Sequence, residues 1–200
     1  MSSREERIWT HPKLGELKLG VIDWEGRIEL PSFARFDSPL PVGRYDLNLV
    51  ESTEEPHPDK GLVDAVVAVV ESEAVLADRV LQALWQDLNG TGPETGNWWY
   101  GKLDSGEINA FVGDPPTGAK DLIIYFELQR LEARFAPDDS PLVELCCHGD
   151  WEEEHGVGVL VEKDAVVGIG YTLDVVPFGG LPPANKPIKN PFTGEWIYPE

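Results

Sequence analysis

The segment Cys146-Cys147-His148-Gly149-Asp150-Trp151-Glu152-Glu153-Glu154-His155-Gly156 concentrates the side chains best able to do chemistry. Carboxylate oxygens suit calcium, magnesium or manganese, and imidazoles suit zinc. His148, Asp150, Glu152, Glu154 and His155 are therefore the candidate ligands of a divalent cation, the one cofactor the sequence suggests. On a continuous strand, His148, Asp150, Glu152 and Glu154 would share one face. Four such groups without a basic partner repel one another unless a cation or solvent intervenes. The spacing has neither the Asp-x-Asp-x-Asp-Gly order of a calcium loop nor the His-x-x-x-His of a helical zinc site. A solvated or structural face is the simpler expectation.

Other chemistries find less support. A thiol beside an imidazole suggests a nucleophile and its base, but neighbours on a strand do not establish that geometry. Burial is the expectation for Cys146 and Cys147. Asp150 and Glu154 have the chemistry of a hydrolytic carboxylate pair, yet nothing marks a sugar-binding cleft. The chain has no serine elbow, Walker loop or dinucleotide fingerprint. Its glycine-rich run GVGVLVEKDAVVGIG reads as a hairpin, because a phosphate cradle needs a strand–loop–helix setting.

The elements that must carry these residues follow from periodicity. In GELKLGVIDWEGRIELP, Leu17, Leu19 and Val21 alternate, a turn is expected near Trp24-Glu25-Gly26, and Ile28 and Leu30 follow up to Pro31. GRYDLNLVE is a strand with Tyr45, Leu47 and Leu49 on one face and Asp46 and Asn48 on the other. Residues 61–88 suit helix in two parts. The first, GLVDAVVAVVESEA, is apolar and rich in β-branched residues. The second repeats Leu76, Val80, Leu84 and Leu88, flanked by Val75, Leu81 and Trp85, and stops at Asn89-Gly90. A long loop over 91–118 carries Trp98, Trp99 and Tyr100. A short helix, a strand ending near Phe135, a turn at 137–140 and a return strand over 142–148 come next. The final hairpin reverses near Lys163-Asp164, and its glycines imply bulges or close backbone approach. The expected fold is α+β: a mainly antiparallel sheet packed against two central helices. It forms a single domain over 10–175, with an irregular Pro-rich tail over 176–200.

Charge is the strongest bulk signal. The chain has 36 acids against 16 bases, a net charge of −20. That field repels nucleic acid and anionic membrane, and it favours solubility or a basic partner. From Asp138 to His155 there is no Lys or Arg at all. No apolar run is long enough to span a bilayer. The charged start, MSSREERIWTHPKLG, has no secretory apolar core. Two adjacent cysteines make no disulfide framework, so the expected compartment is the cytoplasm.

The stretches HPKLGELKLG…DWEGRIELPSF and LCCHGDWEEEHGVGVLVEKDAVVGIGY resemble an uncharacterised bacterial domain family. In that family a Trp-acid-x-Glu-His-Gly motif precedes a Gly/Val-rich hairpin, and the resemblance covers roughly residues 10 to 173. It implies a small α+β domain. It also implies an association with toxin-immunity genes, without a mechanism. The leading functional expectation is a non-enzymatic acidic domain that binds a basic protein. Trp98, Trp99, Tyr100, Asp150, Trp151, Glu152, Glu153 and Glu154 are its candidate contacts. The rivals are a divalent-metal-dependent enzyme built on the His148–His155 segment and a structural domain of a larger assembly.

Overall fold

The computed structural model describes residues 7–21, 23–35, 43–51, 55–93, 116–136 and 138–178, and the short strands Ile188–Lys189 and Trp196–Ile197. Eight strands form one sheet in sequence order: β1 (Ile8–His11), β2 (Gly15–Leu19), β3 (Asp23–Glu29), β4 (Arg44–Val50), β5 (Phe126–Phe135), β6 (Pro141–Gly149), β7 (Glu152–Glu162) and β8 (Ala165–Tyr171). Every neighbouring pair is antiparallel except β4 and β5, which run parallel. A parallel pair needs a long crossover. Helix α1 (Lys60–Leu88) lies in the connection between these two strands. The tail holds two short strands, β9 (Ile188–Lys189) and β10 (Trp196–Ile197), paired with each other, where an irregular segment is the expectation.

The central row of the core crosses the whole sheet: Leu17, Gly26, Leu47, Leu131, Leu145, Val159 and Ile169 stand in register. Its side chains are buried together with Leu62, Val66, Leu76, Val80, Leu84 and Leu88 of α1. The expected stripe of four is thus the buried one, while Val75 beside it is half exposed.

The two expected helices are one. No Gly or Pro interrupts residues 62–88, and the weak helix propensity of the valines is overridden because Val63, Val66 and Val69 pack into the core. The ends carry strong signals. Asp59 caps the start by accepting from the Gly61 and Leu62 N–H groups at 2.6 and 3.4 Å. At the other end Thr91 N–H bonds to Gln86 O and Gly90 N–H to Asp87 O, with Gly90 at φ 65°. This is a Schellman termination. The polar flank of α1 is tied down by Glu73, which accepts from both the N–H and the hydroxyl of Ser32 at 2.8 Å. Arg79 and Ser72 reach the β7–β8 turn at Asp164 and Lys163.

The first turn is displaced from its expected place. The chain reverses between β2 and β3, where Gly20 N–H bonds to Asp23 O, and Trp24-Glu25-Gly26 lies inside β3. Gly26 is there for close approach: a Cβ on it would lie 2.3 Å from Leu17 Cδ2. Val21, expected to continue the strand, is 80% exposed. Strand β1 was not anticipated, because IWTH is too short to show a period. The return strand and the reversal at Lys163-Asp164 lie where expected. The short helix is a 3-10 turn at Ala119–Ile124. Among the described residues no helix is long and apolar enough to cross a membrane.

Leu84→Ala should lower the unfolding free energy by about 2–5 kcal/mol, whereas Val75→Ala should change it by less than about 0.5 kcal/mol. Urea midpoints for the two variants check the packing of α1; equal shifts would contradict it.

Candidate functional site

The residues one place along from each core position form the opposite face of the sheet, which α1 does not cover. There the strands carry a charged or amide side chain at every second residue: Glu25-x-Arg27-x-Glu29 on β3, Arg44-x-Asp46-x-Asn48 on β4, and Arg130-x-Glu132-x-Arg134 on β5. Register turns these triplets into rows. One row runs Arg27, Asp46, Arg130, Cys146, Gly158, Gly170. The next runs Lys18, Glu25, Asn48, Glu132, Glu144, Leu160. Opposite charges meet across strands, as in the 3.1 Å pair of Arg27 with Asp46, an arrangement that stabilises a sheet modestly. Over β2–β5 this face forms a cleft of about 740 Å³, bounded on one side by the β1–β2 turn.

Toward β6 the charges become buried. Glu144 is fully buried. Its Oε2 accepts from Arg134 Nη2 at 2.9 Å, and its Oε1 from Leu173 N–H at 2.9 Å. Loss of water pushes its pKa above the ordinary carboxylate value. The Leu173 N–H and the Arg134 guanidinium oppose that shift, and Glu132 across the strand pair adds to it. Glu132 is itself buried and lies 3.6 Å from Arg130 Nε. Two carboxylates and two guanidiniums thus alternate along the border between the open cleft and the covered half of the face.

The motif first singled out builds a different object. Strand β6 ends at Gly149, the chain turns at Asp150-Trp151, and β7 starts at Glu152. Between the register pairs Gly149↔Glu152 and Cys147↔Val157, β7 inserts Glu153, Glu154, His155 and Gly156 opposite His148 alone. This is a large bulge with Gly156 at φ 70°. The expected alignment of His148, Asp150, Glu152 and Glu154 on one face is therefore broken, because the strand reverses and bulges. Glu152 Oε1 lies 3.1 Å from His155 Nδ1 and accepts from the His155 N–H, while the imidazole stacks on Tyr171 at 4.6 Å. Trp151 is buried and stacks on Phe126. Among the described residues no group of three or more His, Cys, Asp or Glu is placed to hold a metal ion. The side chain of Glu153, and Trp98, Trp99 and Tyr100, lie outside the described residues.

Both cysteines are buried and point to opposite faces. Cys147 packs in the main core, and Cys146 lies on the face of Arg130 and Glu144. Burial, then the Glu144 carboxylate, raises the Cys146 thiol pKa far out of the neutral range, and burial does the same for Cys147. Neither thiol is activated as a nucleophile.

Residues 14–176 match the family described as DUF6985, a domain of unknown function. The chain belongs to the DUF6985 family. No curated protein and no solved structure matches it. The DUF6985 match takes in β2 through β8, α1, the whole charged face, and the chain after β8 as far as Val176.

A carboxyl with a raised folded pKa holds its proton more tightly in the folded chain than in the unfolded one. Its contribution to stability is full below the ordinary value of 4.5 and is lost as pH rises through the folded value. Glu144→Gln cannot ionise. Its stability relative to wild type should therefore improve as pH is raised from 4.5 toward neutrality, as read by urea unfolding. A difference independent of pH would contradict the burial argument.

Proposed function

We propose that the chain is a non-enzymatic protein-binding domain of immunity type, which draws in a cationic partner through its acidic field and seats it on the charged cleft of the open sheet face. One observation carries this reading. In a chain of net charge −20, no described element covers one half of one sheet face, and that half is a charged cleft of about 740 Å³. Complementary fields raise association rates and set register more than they add affinity. The checkerboard of Lys18, Glu25, Arg27, Asp46 and Arg130 sets the register of a partner whose basic groups meet Glu25 and Asp46 and whose acidic or polar groups meet the cations between them.

The chemistry of the cleft agrees with binding. Its described lining is Lys, Arg, Asp, Glu and Asn with a few Gly, Pro and Leu, and it holds no thiol, hydroxyl or imidazole. The acids of the β5–β6 turn, Asp138 and Asp139, are exposed and add to the long-range field.

Pull-down from the native host, followed by kinetics at two salt concentrations, tests the reading. Removing two of the cleft's carboxylates with Glu25→Gln and Asp46→Asn leaves its cations in excess and should raise the dissociation rate of a cationic partner. Reversing Asp138 and Asp139 should slow association and flatten its salt dependence, with dissociation changed less. Exposed pairs contribute on the order of 0–1 kcal/mol, so the fold should survive both changes. Capture of no cationic partner, or binding indifferent to salt and to the cleft, would sink the proposal.

A further inference from the structure

The other half of the open face, over β6–β8, is covered by the chain itself. After β8 the backbone reverses at Leu173, which has φ 72° and is 53% exposed. It then lies back across the strands. The floor beneath it is glycine. A Cβ on Gly158 would lie 3.0 Å from Val175 Cγ1, one on Gly170 3.2 Å from Val175 Cα, and one on Gly168 2.4 Å from Val176 O. Only glycines admit a backbone this close. Among the described residues the segment is held by Leu173 N–H to Glu144, Asp174 N–H to Tyr171 O at 3.1 Å, Phe178 N–H to Val167 O at 2.6 Å, and a 3.4 Å contact from Arg134 Nη2 to Val175 O. Val175, Leu160 and Cys146 are buried under or beside it, yet none of the three belongs to the main core cluster.

Holding this segment down buries Val175, partly buries Val176, Pro177 and Phe178, the last against the edge of the main core, and in the same act keeps the Glu144 carboxyl away from water. Lifting it returns water to Glu144 and Arg134 and relaxes the left-handed residue Leu173. These gains offset part of the cost of lifting, and the segment closes over far less apolar surface than α1 does.

We propose that residues 172–178 are a displaceable strap. When it lifts, the charged rows of the cleft continue from Asn48 through Glu132 to Glu144, over a glycine floor that accepts an extended backbone. That an extended basic segment of the partner occupies the vacated place rests on the binding reading above; the strap does not.

The adjacent cysteines report on it. Cys146 lies on the strap side of β6 and Cys147 on the helix side. Opening of the strap exposes the first alone, and global unfolding exposes both. The full chain is alkylated with iodoacetamide in native buffer, and the two sites are resolved by fragment-ion mass spectrometry. Cys146 should be modified at least about ten-fold faster than Cys147. Val175→Asp should accelerate Cys146 further and leave Cys147 unchanged. Equal rates at the two sites, both rising with denaturant as the whole chain unfolds, would overturn the strap. The wild-type comparison decides the matter even if Val175→Asp does not fold. No partner is present in this assay, so a negative result strikes the strap and leaves the cleft proposal standing. Conversely, fast Cys146 labelling together with partner binding indifferent to salt strikes the binding reading alone.

Discussion

Among the described residues one long helix packs on an eight-stranded sheet, and one helix cannot cover both faces. The rest of the described structure adjusts to that shortage. Helix α1 buries its Leu/Val stripe against one face, and there the strands place Leu47, Leu131, Leu145 and Val159 in an unbroken apolar row. The other face has to be made compatible with water or find another cover, and it does both. Over β2–β5 it carries paired charges. Over β6–β8 it is floored with glycine and closed by the chain that follows β8.

The border between these two solutions is where polar groups are most constrained. Glu132 and Glu144 are cross-strand neighbours, both buried, with Arg130 and Arg134 each two residues from Glu132 on the same strand face. Like charges directly opposite one another destabilise a sheet, and the guanidiniums counter that. The same carboxyl that accepts from Arg134 also holds the N–H of Leu173. The electrostatics of the open face and the closure of its far half therefore share one residue.

The Trp151–Gly156 motif illustrates how reactive side chain types can serve structure. Its tryptophan fills the core beside Phe126, its first glutamate fastens the backbone and ring of His155, and its glycine takes the left-handed turn of the bulge. The bulge reconciles strand lengths where β6 reverses into β7.

Periodicity alone determined much of this fold. The four-residue repeat of Leu76, Val80, Leu84 and Leu88 specified a buried helix face. The alternation in Tyr45-Asp46-Leu47-Asn48-Leu49 specified a strand with one apolar and one polar face. The glycines of 156–170 foretold the bulge and the close backbone approach that Gly156 and Gly158 show. These signals are local, because side-chain direction repeats with the backbone. Continuity of α1 through its valines was decided by tertiary packing, which outweighs a propensity difference of a few tenths of a kcal/mol per residue. The first turn could not be placed from residues 20–26, because Gly20 and Gly26 look alike until Leu17 is seen to press on the second. The polar triplets of β3, β4 and β5 are in plain view as charged or amide side chains at every second position. Only register made them one surface: a slip of one residue would have turned the same charges into the core. Sequence states which face of each strand is polar, while the pairing of distant strands decides which polar residues meet.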